Sequence, residues 1–431
     1  MSVERESLAT AIPGPRSREL AAVLARTEAR GVTYLGDAAP IFWESADGTL
    51  VTDVDGNRYI DLTAAFGVAG VGHSNPTVAT AIAEQAVELM HGMGDVHPSV
   101  RKGELLETLA RIAPLDDPRS FLCSSGAEAV EFALKTAYLA TGGPDALAFG
   151  GGYHGLTLGA LEVGGNPKFR RPFAAQLRQR TSFVLFPDRR ERDSGERALE
   201  RVDKALRKER GTGAVIVEPI QGRAGVIIPP DDFLAGLRRL CDERGVLLIV
   251  DEIYTGFGRT GTMFACERDG IRPDLLCLGK AMAGGFPISA TVGTRAAMDA
   301  WEPSSGEALH TSTHLGNPMG CAAALAAIGE TERLRLPARA ESLSAVVEQQ
   351  LRPLRDCGAV DVRGRGLMWA VEFADGERAG AVVTRALRAG IIVLQSGLRG
   401  ETVTIAPPLT IAEDQLAHAL EKLVLVTGDA R

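Results

Sequence analysis

Aromatic residues, long apolar runs and blocks of like charge are all scarce in this sequence, and each shortage excludes a class of protein. Aromatic residues make up 5% of the chain. No apolar run approaches the length of a membrane-spanning helix, and the N-terminus MSVERESLAT lacks an apolar signal region. Lysine and arginine form no basic block, and the net charge is −8. We therefore expect a globular protein that binds neither nucleic acid nor membrane.

Cysteine is also rare, and its spacing argues against disulfide bonds and metal sites. None of the six cysteines forms a CxxC pair, and several lie in apolar runs. Such cysteines are typical of buried free thiols in a reducing compartment. We expect a cytoplasmic protein and assign no metal ligands. The cysteines are Cys123, Cys241, Cys266, Cys277, Cys321 and Cys357.

Helical periodicity alternates with short apolar runs through the middle of the chain. This alternation is typical of an α/β fold with a mostly parallel sheet covered by helices. The runs that predict strands are 120–123, 146–149, 214–217, 246–250, 275–278 and 290–292.

The flanking segments have other patterns, so we predict three regions. Residues 1–62 form an N-terminal arm and a small antiparallel meander, because 41–62 alternates apolar and polar residues between turn signals. Residues 63–318 form the large domain. Residues 319–431 form a smaller C-terminal α+β domain.

Two charged residues close predicted buried strands. Asp251 ends the run 246–250, and Lys280 follows the run 275–278 after one glycine. Alone, such an aspartate is commonly a helix cap or turn former, and such a lysine is commonly solvated. Together they lie on one sheet edge, because the carboxyl ends of parallel strands meet there. An acid and an amine with a lowered pKa suit pyridoxal phosphate, which needs a protonated ring nitrogen and a Schiff base.

The same stretch resembles a known family. DEIYTGFGRTG at 251–261 and PDLLCLGKAMAGG at 273–285 are similar to segments of the class III aminotransferases, which are pyridoxal phosphate enzymes of fold type I. The likeness extends from DVDGNRYIDL at 53–62 to APPLTI at 406–411, so it covers most of the chain. The resemblance implies pyridoxal 5′-phosphate bound to Lys280 as a Schiff base, small amine and oxo substrates, and amino transfer between them.

The resemblance also implies a phosphate site. Ser125 and Glu128 have the spacing of a capping box at the start of a predicted helix, which alone would be an ordinary cap. A helix that starts with glycine exposes N–H groups to an anion. Family members bind the cofactor phosphate with backbone groups at the positions of Gly126 and Ala127, and we expect Ser125 to belong to the same site.

Other cofactor contacts follow from the resemblance. Tyr153 is expected to stack on one face of the pyridine ring and Ile253 to cover the other. Glu218 follows another predicted strand and is expected to support the cofactor's hydrogen bonds. His73 and His154 are expected to be structural. Residues 150–155 match G-x-G-x-x-G, but no acidic strand end follows about 20 residues later, so we do not predict dinucleotide binding.

Two residues are expected to act outside the cofactor pocket. Family members use the residue at Phe66 against the substrate, although an aromatic residue in this glycine-rich loop could equally pack in the core. The threonine at Thr313 reaches the phosphate of a neighbouring subunit in the family. If this transfers, the protein is a homodimer with a shared active site.

The sequence departs from the family at three positions. Arg223 replaces a common glutamate, Thr404 replaces the arginine that the glutamate pairs with, and Tyr254 replaces a common glutamine. The usual 2-oxoglutarate switch is therefore missing. We predict that Arg223 is a cation at the mouth of the site that pairs with a substrate carboxylate; the alternative is a surface arginine. A racemase or epimerase on the same scaffold is the leading alternative activity, followed by a lyase.

Overall fold

The computed structural model describes residues 5–36, 40–209 and 211–428. The strands are β1 Trp43–Asp47, β2 Leu50–Asp53, β3 Arg58–Asp61, β4 Pro118–Cys123, β5 Asp145–Gly150, β6 Thr181–Leu185, β7 Thr212–Val217, β8 Leu247–Asp251, β9 Leu275–Leu278, β10 Ser289–Thr294, β11 Asp361–Arg365, β12 Met368–Glu372, β13 Ile391–Ile392, β14 Leu394–Ser396 and β15 Thr402–Ile405. The helices are α1 Pro15–Thr27, α2 Ala64–Gly67, α3 Pro76–Glu88, α4 Val100–Ile112, α5 Gly126–Thr141, α6 Leu158–Glu162, α7 Pro167–Arg170, α8 Ser194–Lys208, α9 Phe233–Arg244, α10 Arg295–Met298, α11 Pro318–Arg333, α12 Leu336–Leu351, α13 Gly376–Arg388 and α14 Glu413–Gly428.

The chain divides into two compact units. The central unit is Pro76–Ala338, and the terminal unit combines Met1–Asn75 with Arg339–Arg431. The division at residues 62 and 318 that we predicted from the sequence stays a prediction. None of the helices in the described ranges is long and apolar enough to cross a lipid bilayer.

The central unit contains a seven-stranded sheet in the order β4-β10-β9-β8-β7-β5-β6. Strands β6, β5, β7, β8 and β9 are mutually parallel, and β10 runs antiparallel to both of its neighbours. Helix α5 packs against β4, β7, β8, β9 and β10, while α9 packs against β8 and α8 against β5 and β6. This confirms the predicted α/β fold with a mostly parallel sheet covered by helices.

The apolar runs form strands because they lie in the interior of this sheet. Every residue of β7 and of β9 is buried. Under α5, the ring of Phe132 stacks on Phe121 with centroids 3.9 Å apart and on Trp301 with centroids 5.0 Å apart. Aromatic stacking of this kind adds about 0.5–1.5 kcal/mol to the burial of apolar area.

The terminal unit contains two further sheets. Strands β1, β2 and β3 form the antiparallel meander that the sequence predicts for 41–62, and β13 adds to it in parallel, with Ile391 beside Ile60. The other sheet has the antiparallel order β11-β12-β15-β14. In this unit, buried Asp61 accepts hydrogen bonds from Thr63 and lies 2.7 Å from His73 Nε2, which gives His73 a structural contact.

Candidate active site

Three neighbouring parallel strands bring charged groups to one edge of the central sheet. Asp251 is the last residue of β8, Glu218 follows β7, and Lys280 follows β9 after Gly279. Strand β8 pairs with β7 on one side and with β9 on the other. The carboxyl ends of these strands therefore meet, as expected for a ligand site in an α/β sheet.

Asp251 is 4% exposed and both of its carboxylate oxygens have partners. Oδ1 accepts a hydrogen bond of 3.0 Å from the Ile253 N–H, and Oδ2 lies 2.8 Å from His154 Nδ1. Burial opposes protonation of His154, but the hydrogen bond and the charges of Asp251 and Glu218 outweigh it and raise the His154 pKa above 6.5. The two residues thus share a buried hydrogen-bonded contact, which the sequence analysis did not predict.

A physical argument could have found this histidine. A carboxylate at a buried strand end needs a cation or a strong donor. His154 was the titratable residue next to Tyr153, a position already assigned to the cofactor site. The missing information was the turn at 150–155, in which Gly151 has a φ of 86° and directs the following residues back toward the sheet edge.

Glu218 is buried beside this pair and accepts two backbone hydrogen bonds. Its Oε2 receives the Tyr153 N–H at 3.0 Å, and its Oε1 receives the Gly222 N–H at 3.2 Å. Burial, with a further contribution from the charge of Asp251, raises the Glu218 pKa to about 7, although the backbone hydrogen bonds and His154 act in the opposite direction. Glu218 therefore ties together two loops that border the site.

Lys280 is partly buried and begins a 3₁₀ turn, Lys280–Ala283. Its φ of 43° is in the left-handed region, which is costly for a residue with a long side chain and which recurs at functional sites. Burial lowers the Lys280 pKa, while the charges of Asp251 and Glu218 oppose that effect. Lys280 Nζ lies 4.7 Å from the centroid of the Tyr254 ring.

The start of helix α5 lies against the same site. The Ser125 hydroxyl accepts a hydrogen bond of 3.3 Å from the Glu128 N–H, and the Glu128 carboxylate accepts one of 2.8 Å from the Ser124 N–H. A Cβ on Gly126 would lie 2.7 Å from Ile253 Cδ1, so a larger residue here would force the Ile253 side chain to move. The first-turn N–H groups of this 16-residue helix have no acceptors within the helix, so they suit a phosphate.

Tyr153 and Arg223 border the site from two linked loops. Gln221 and Ile227 exchange two backbone hydrogen bonds of 3.1 Å, and exposed Arg223 lies in the turn between them. The Gln221 amide donates to the Gly150 carbonyl at 3.0 Å. Burial raises the pKa of the Tyr153 hydroxyl and Arg223 opposes this, so the two side chains are within electrostatic reach of each other.

Two further predicted site residues belong to other segments of the chain. Thr313 is exposed on a loop of the central unit, in which the Thr311 hydroxyl donates to Asp95 at 2.7 Å. Phe66 belongs to the terminal unit and is 65% exposed, with a left-handed φ of 64°. Its exposure argues against the alternative in which Phe66 packs in the core.

The residues at the sheet edge fit pyridoxal phosphate as a set. The cluster combines a lysine of lowered pKa, a buried carboxylate held by a histidine, and a glycine helix start suited to an anion. An aliphatic side chain, Ile253, borders the same space as the helix start. These are the groups needed to hold an aldehyde, a ring nitrogen, a phosphate and a ring face.

Comparison with known proteins agrees with this chemistry. The family model for class-III aminotransferases matches residues 34–426. An acetylornithine aminotransferase from Methanopyrus kandleri is 41% identical over 384 residues, which cover 89% of this chain and 93% of that protein. A 4-aminobutyrate aminotransferase from Mycobacterium leprae is 38% identical over 99% of both chains.

Solved structures show the same relationship. An amine transaminase from an uncultivated Pseudomonas species, in its pyridoxal-phosphate-bound form, has a TM-score of 0.85 and 30% identity and covers 94% of this chain and 98% of its own. An aminotransferase from Bacillus anthracis has a TM-score of 0.90 and 25% identity, with coverage of 96% and 99%. These likenesses favour amino transfer over the racemase and lyase alternatives.

Proposed function

We propose that this chain, which belongs to the class-III aminotransferases, transfers amino groups with Lys280 and Asp251 as its catalytic residues. It is a pyridoxal 5′-phosphate-dependent aminotransferase, and the assignment of roles to individual residues is our proposal. The single observation that carries it is the meeting of Lys280, Asp251 and Glu218 at the ends of three adjacent strands.

The proposed cofactor contacts divide among the elements of the central unit. Lys280 would hold the cofactor's aldehyde group, and Asp251 would hold its protonated ring nitrogen. Ser125, Gly126 and Ala127 hold the phosphate at the start of α5. Tyr153 and Ile253 cover the two ring faces, and Glu218 keeps the Tyr153 loop in position through its backbone hydrogen bond.

The chain's own groups then carry the chemistry. When bound, pyridoxal phosphate withdraws electrons from the substrate's Cα and carries the amino group from donor to acceptor. Lys280 Nζ, once released, accepts the proton that leaves Cα and donates it again. Asp251 supplies the negative charge beside the ring nitrogen, and His154 fixes the orientation of that carboxylate through the 2.8 Å contact.

The substrates that we propose are small aliphatic amines and oxo compounds. The relatives are named for acetylornithine, 4-aminobutyrate and, in Pectobacterium atrosepticum, putrescine. Arg223 lies at the tip of a turn that Gln221 and Ile227 close, and its charge reaches Tyr153. We propose that Arg223 pairs with a carboxylate of one substrate and that Phe66 contacts the substrate.

We also propose a homodimer with a shared active site. Thr313 is exposed, which leaves its hydroxyl available to the phosphate of a second subunit. Five of the six cysteines are buried and all six are free thiols, which supports a reducing, cytoplasmic location. Sedimentation of the purified chain would test the dimer, and a catalytically competent monomer with full cofactor occupancy would contradict it.

The proposed function is tested by following the oxo product. Wild-type protein is incubated with 4-aminobutyrate, putrescine or acetylornithine and with a set of 2-oxo acids and aldehydes, and the products are identified by mass spectrometry. Lys280→Ala should abolish product formation and the visible absorbance of the bound cofactor, because no amine remains to attach to it.

The matched control is Lys168→Ala, which removes an exposed lysine of the same unit. It should keep both activity and absorbance. Turnover at the wild-type rate in Lys280→Ala would contradict the assignment of Lys280 as the catalytic lysine. Inversion of a chiral amine without any acceptor would favour a racemase instead.

A further inference from the structure

Tyr254 and Lys280 are in contact at the end of the sheet. Tyr254 lies three residues beyond β8 and Lys280 two residues beyond β9, and these strands are parallel neighbours. Lys280 Nζ is 4.7 Å from the Tyr254 ring centroid, within the range of about 6 Å over which an aromatic face attracts an ammonium group. Both side chains are partly buried, which strengthens such an attraction because little water competes.

The other groups around Lys280 already have partners. Asp251 is engaged by His154 and the Ile253 N–H, and Glu218 by two backbone N–H groups. Within the part of the chain that the structure describes, no side chain forms a hydrogen bond or ion pair with Lys280 Nζ. The Tyr254 ring is the aromatic face that Lys280 Nζ lies against in this structure.

Resting on the proposed role of Lys280, we propose that Tyr254 is a positioning residue whose ring face holds the Lys280 amine whenever it is not bonded to the cofactor. A lysine has a flexible four-carbon stem, and a released amine must stay within reach of the substrate's Cα. A carboxylate in this place would bind the ammonium in a hydrogen-bonded ion pair and hinder its reattachment. An aromatic face attracts the ammonium but accepts no proton, so Lys280 stays able to give and take one.

The charged groups around Lys280 indicate how its pKa should change when the Tyr254 ring is removed. Desolvation lowers its pKa, and the charges of Asp251 and Glu218 raise it. The Tyr254 ring acts in the same direction as these carboxylates, because it favours the charged amine. Removing the ring while leaving both carboxylates in place should therefore lower the Lys280 pKa further.

The test compares Tyr254→Phe, which keeps the ring, with Tyr254→Leu, which removes it at similar volume. The full-length chain, purified without cofactor, is labelled with trace acetic anhydride over a pH series, and Lys280 modification is measured by mass spectrometry. Exposed Lys168 in the same digest serves as the reference. The Lys280 pKa should be unchanged in Tyr254→Phe and lower than in wild type in Tyr254→Leu. In the cofactor-bound enzymes, the pKa on the acidic side of the pH dependence of kcat should shift in the same direction as the Lys280 pKa.

The outcomes separate this inference from the proposed function. An unchanged Lys280 pKa in Tyr254→Leu overturns the positioning role, as does a Tyr254→Phe variant that behaves like Tyr254→Leu, since the hydroxyl would then be responsible. Circular dichroism of both variants shows whether they fold. Finding the cofactor attached to a residue other than Lys280 would instead defeat the proposed function.

Discussion

Replacing Glu252 with glutamine should make the stability of this protein less dependent on pH. Glu252 is 0% exposed and lies next to Asp251 at the end of β8. Its carboxylate accepts hydrogen bonds from the Thr255 hydroxyl and, at 2.8 Å, from the Cys266 N–H. Burial outweighs these bonds and raises the Glu252 pKa from 4.5 to about 7.

The sign of the effect follows from proton linkage. Between pH 4.5 and about 7, Glu252 is ionised in the unfolded chain but still protonated in the folded one. The folded state therefore loses stability as the pH rises through this window, and the loss is complete above the folded pKa. A shift of this size corresponds to roughly 3 kcal/mol, since each pH unit is worth about 1.4 kcal/mol.

The assay is urea unfolding of wild type and Glu252→Gln at pH 5 and pH 8. A glutamine can still accept from Cys266 and can bond the Thr255 hydroxyl, so any direct cost of the change is the same at both pH values. Relative to wild type, Glu252→Gln should therefore gain about 2–3 kcal/mol between pH 5 and pH 8. Glu88→Gln, on the exposed surface of α3, controls for the loss of one negative charge. Equal pH dependence of wild type and Glu252→Gln would refute the reasoning.

Three further predictions concern the site itself. Gly126→Ala places a Cβ 2.7 Å from Ile253 Cδ1, so the Ile253 side chain must move. We expect an overpacking cost of about 1.4 kcal/mol, which would lower the cofactor affinity measured by titration about tenfold. Gly103→Ala, where a Cβ has open space, is the control, and equal affinities of the two variants would contradict the steric argument. Asp251→Asn should keep the visible absorbance of the cofactor but slow turnover by several orders of magnitude; a rate within about tenfold of wild type, or about 1.4 kcal/mol, would exclude Asp251 as the partner of the ring nitrogen. Arg223→Ala should lower kcat/KM for 4-aminobutyrate by an amount that corresponds to about 1.5–3 kcal/mol of activation free energy. The kcat/KM for putrescine, which has no carboxylate, should be nearly unchanged. An equal loss of kcat/KM for both amines would show that Arg223 is a surface residue that does not bind the substrate carboxylate.

Much of the central fold was predictable because the signal is local. The runs that we assigned to β4, β5, β7, β8, β9 and β10 are short and almost wholly apolar, and a strand buried on both faces needs this pattern. Helices separate most of these strands along the chain, which favours a mostly parallel sheet. Strand β10 follows β9 without an α-helix between them and runs antiparallel to it. Since the carboxyl ends of such strands share one edge, Asp251, Glu218 and Lys280 could be grouped before any coordinates were known.

The features that we did not predict from the sequence depend on contacts between residues that are far apart in the chain. Strand β6 lies at the edge of the sheet and has only one buried residue, and we did not assign a strand to its apolar run 183–186. The pairing of β13 with β3 joins residues more than 300 positions apart, and two residues of strand are too few to predict it. The His154–Asp251 contact depends on how the glycine turn before His154 folds back, which residue spacing does not reveal.

The His154–Asp251 contact also explains how one site can contain a buried carboxylate and a lysine amine close to each other. An unpartnered buried carboxylate would attract the Lys280 ammonium, and an ion pair shielded from water is costly to break once formed. Here His154 and the Ile253 N–H take up both oxygens of Asp251. The lysine is left against the Tyr254 ring, where desolvation still lowers its pKa. The carboxylate that we propose for the cofactor's ring nitrogen and the Lys280 amine can therefore coexist, because each has a partner of its own.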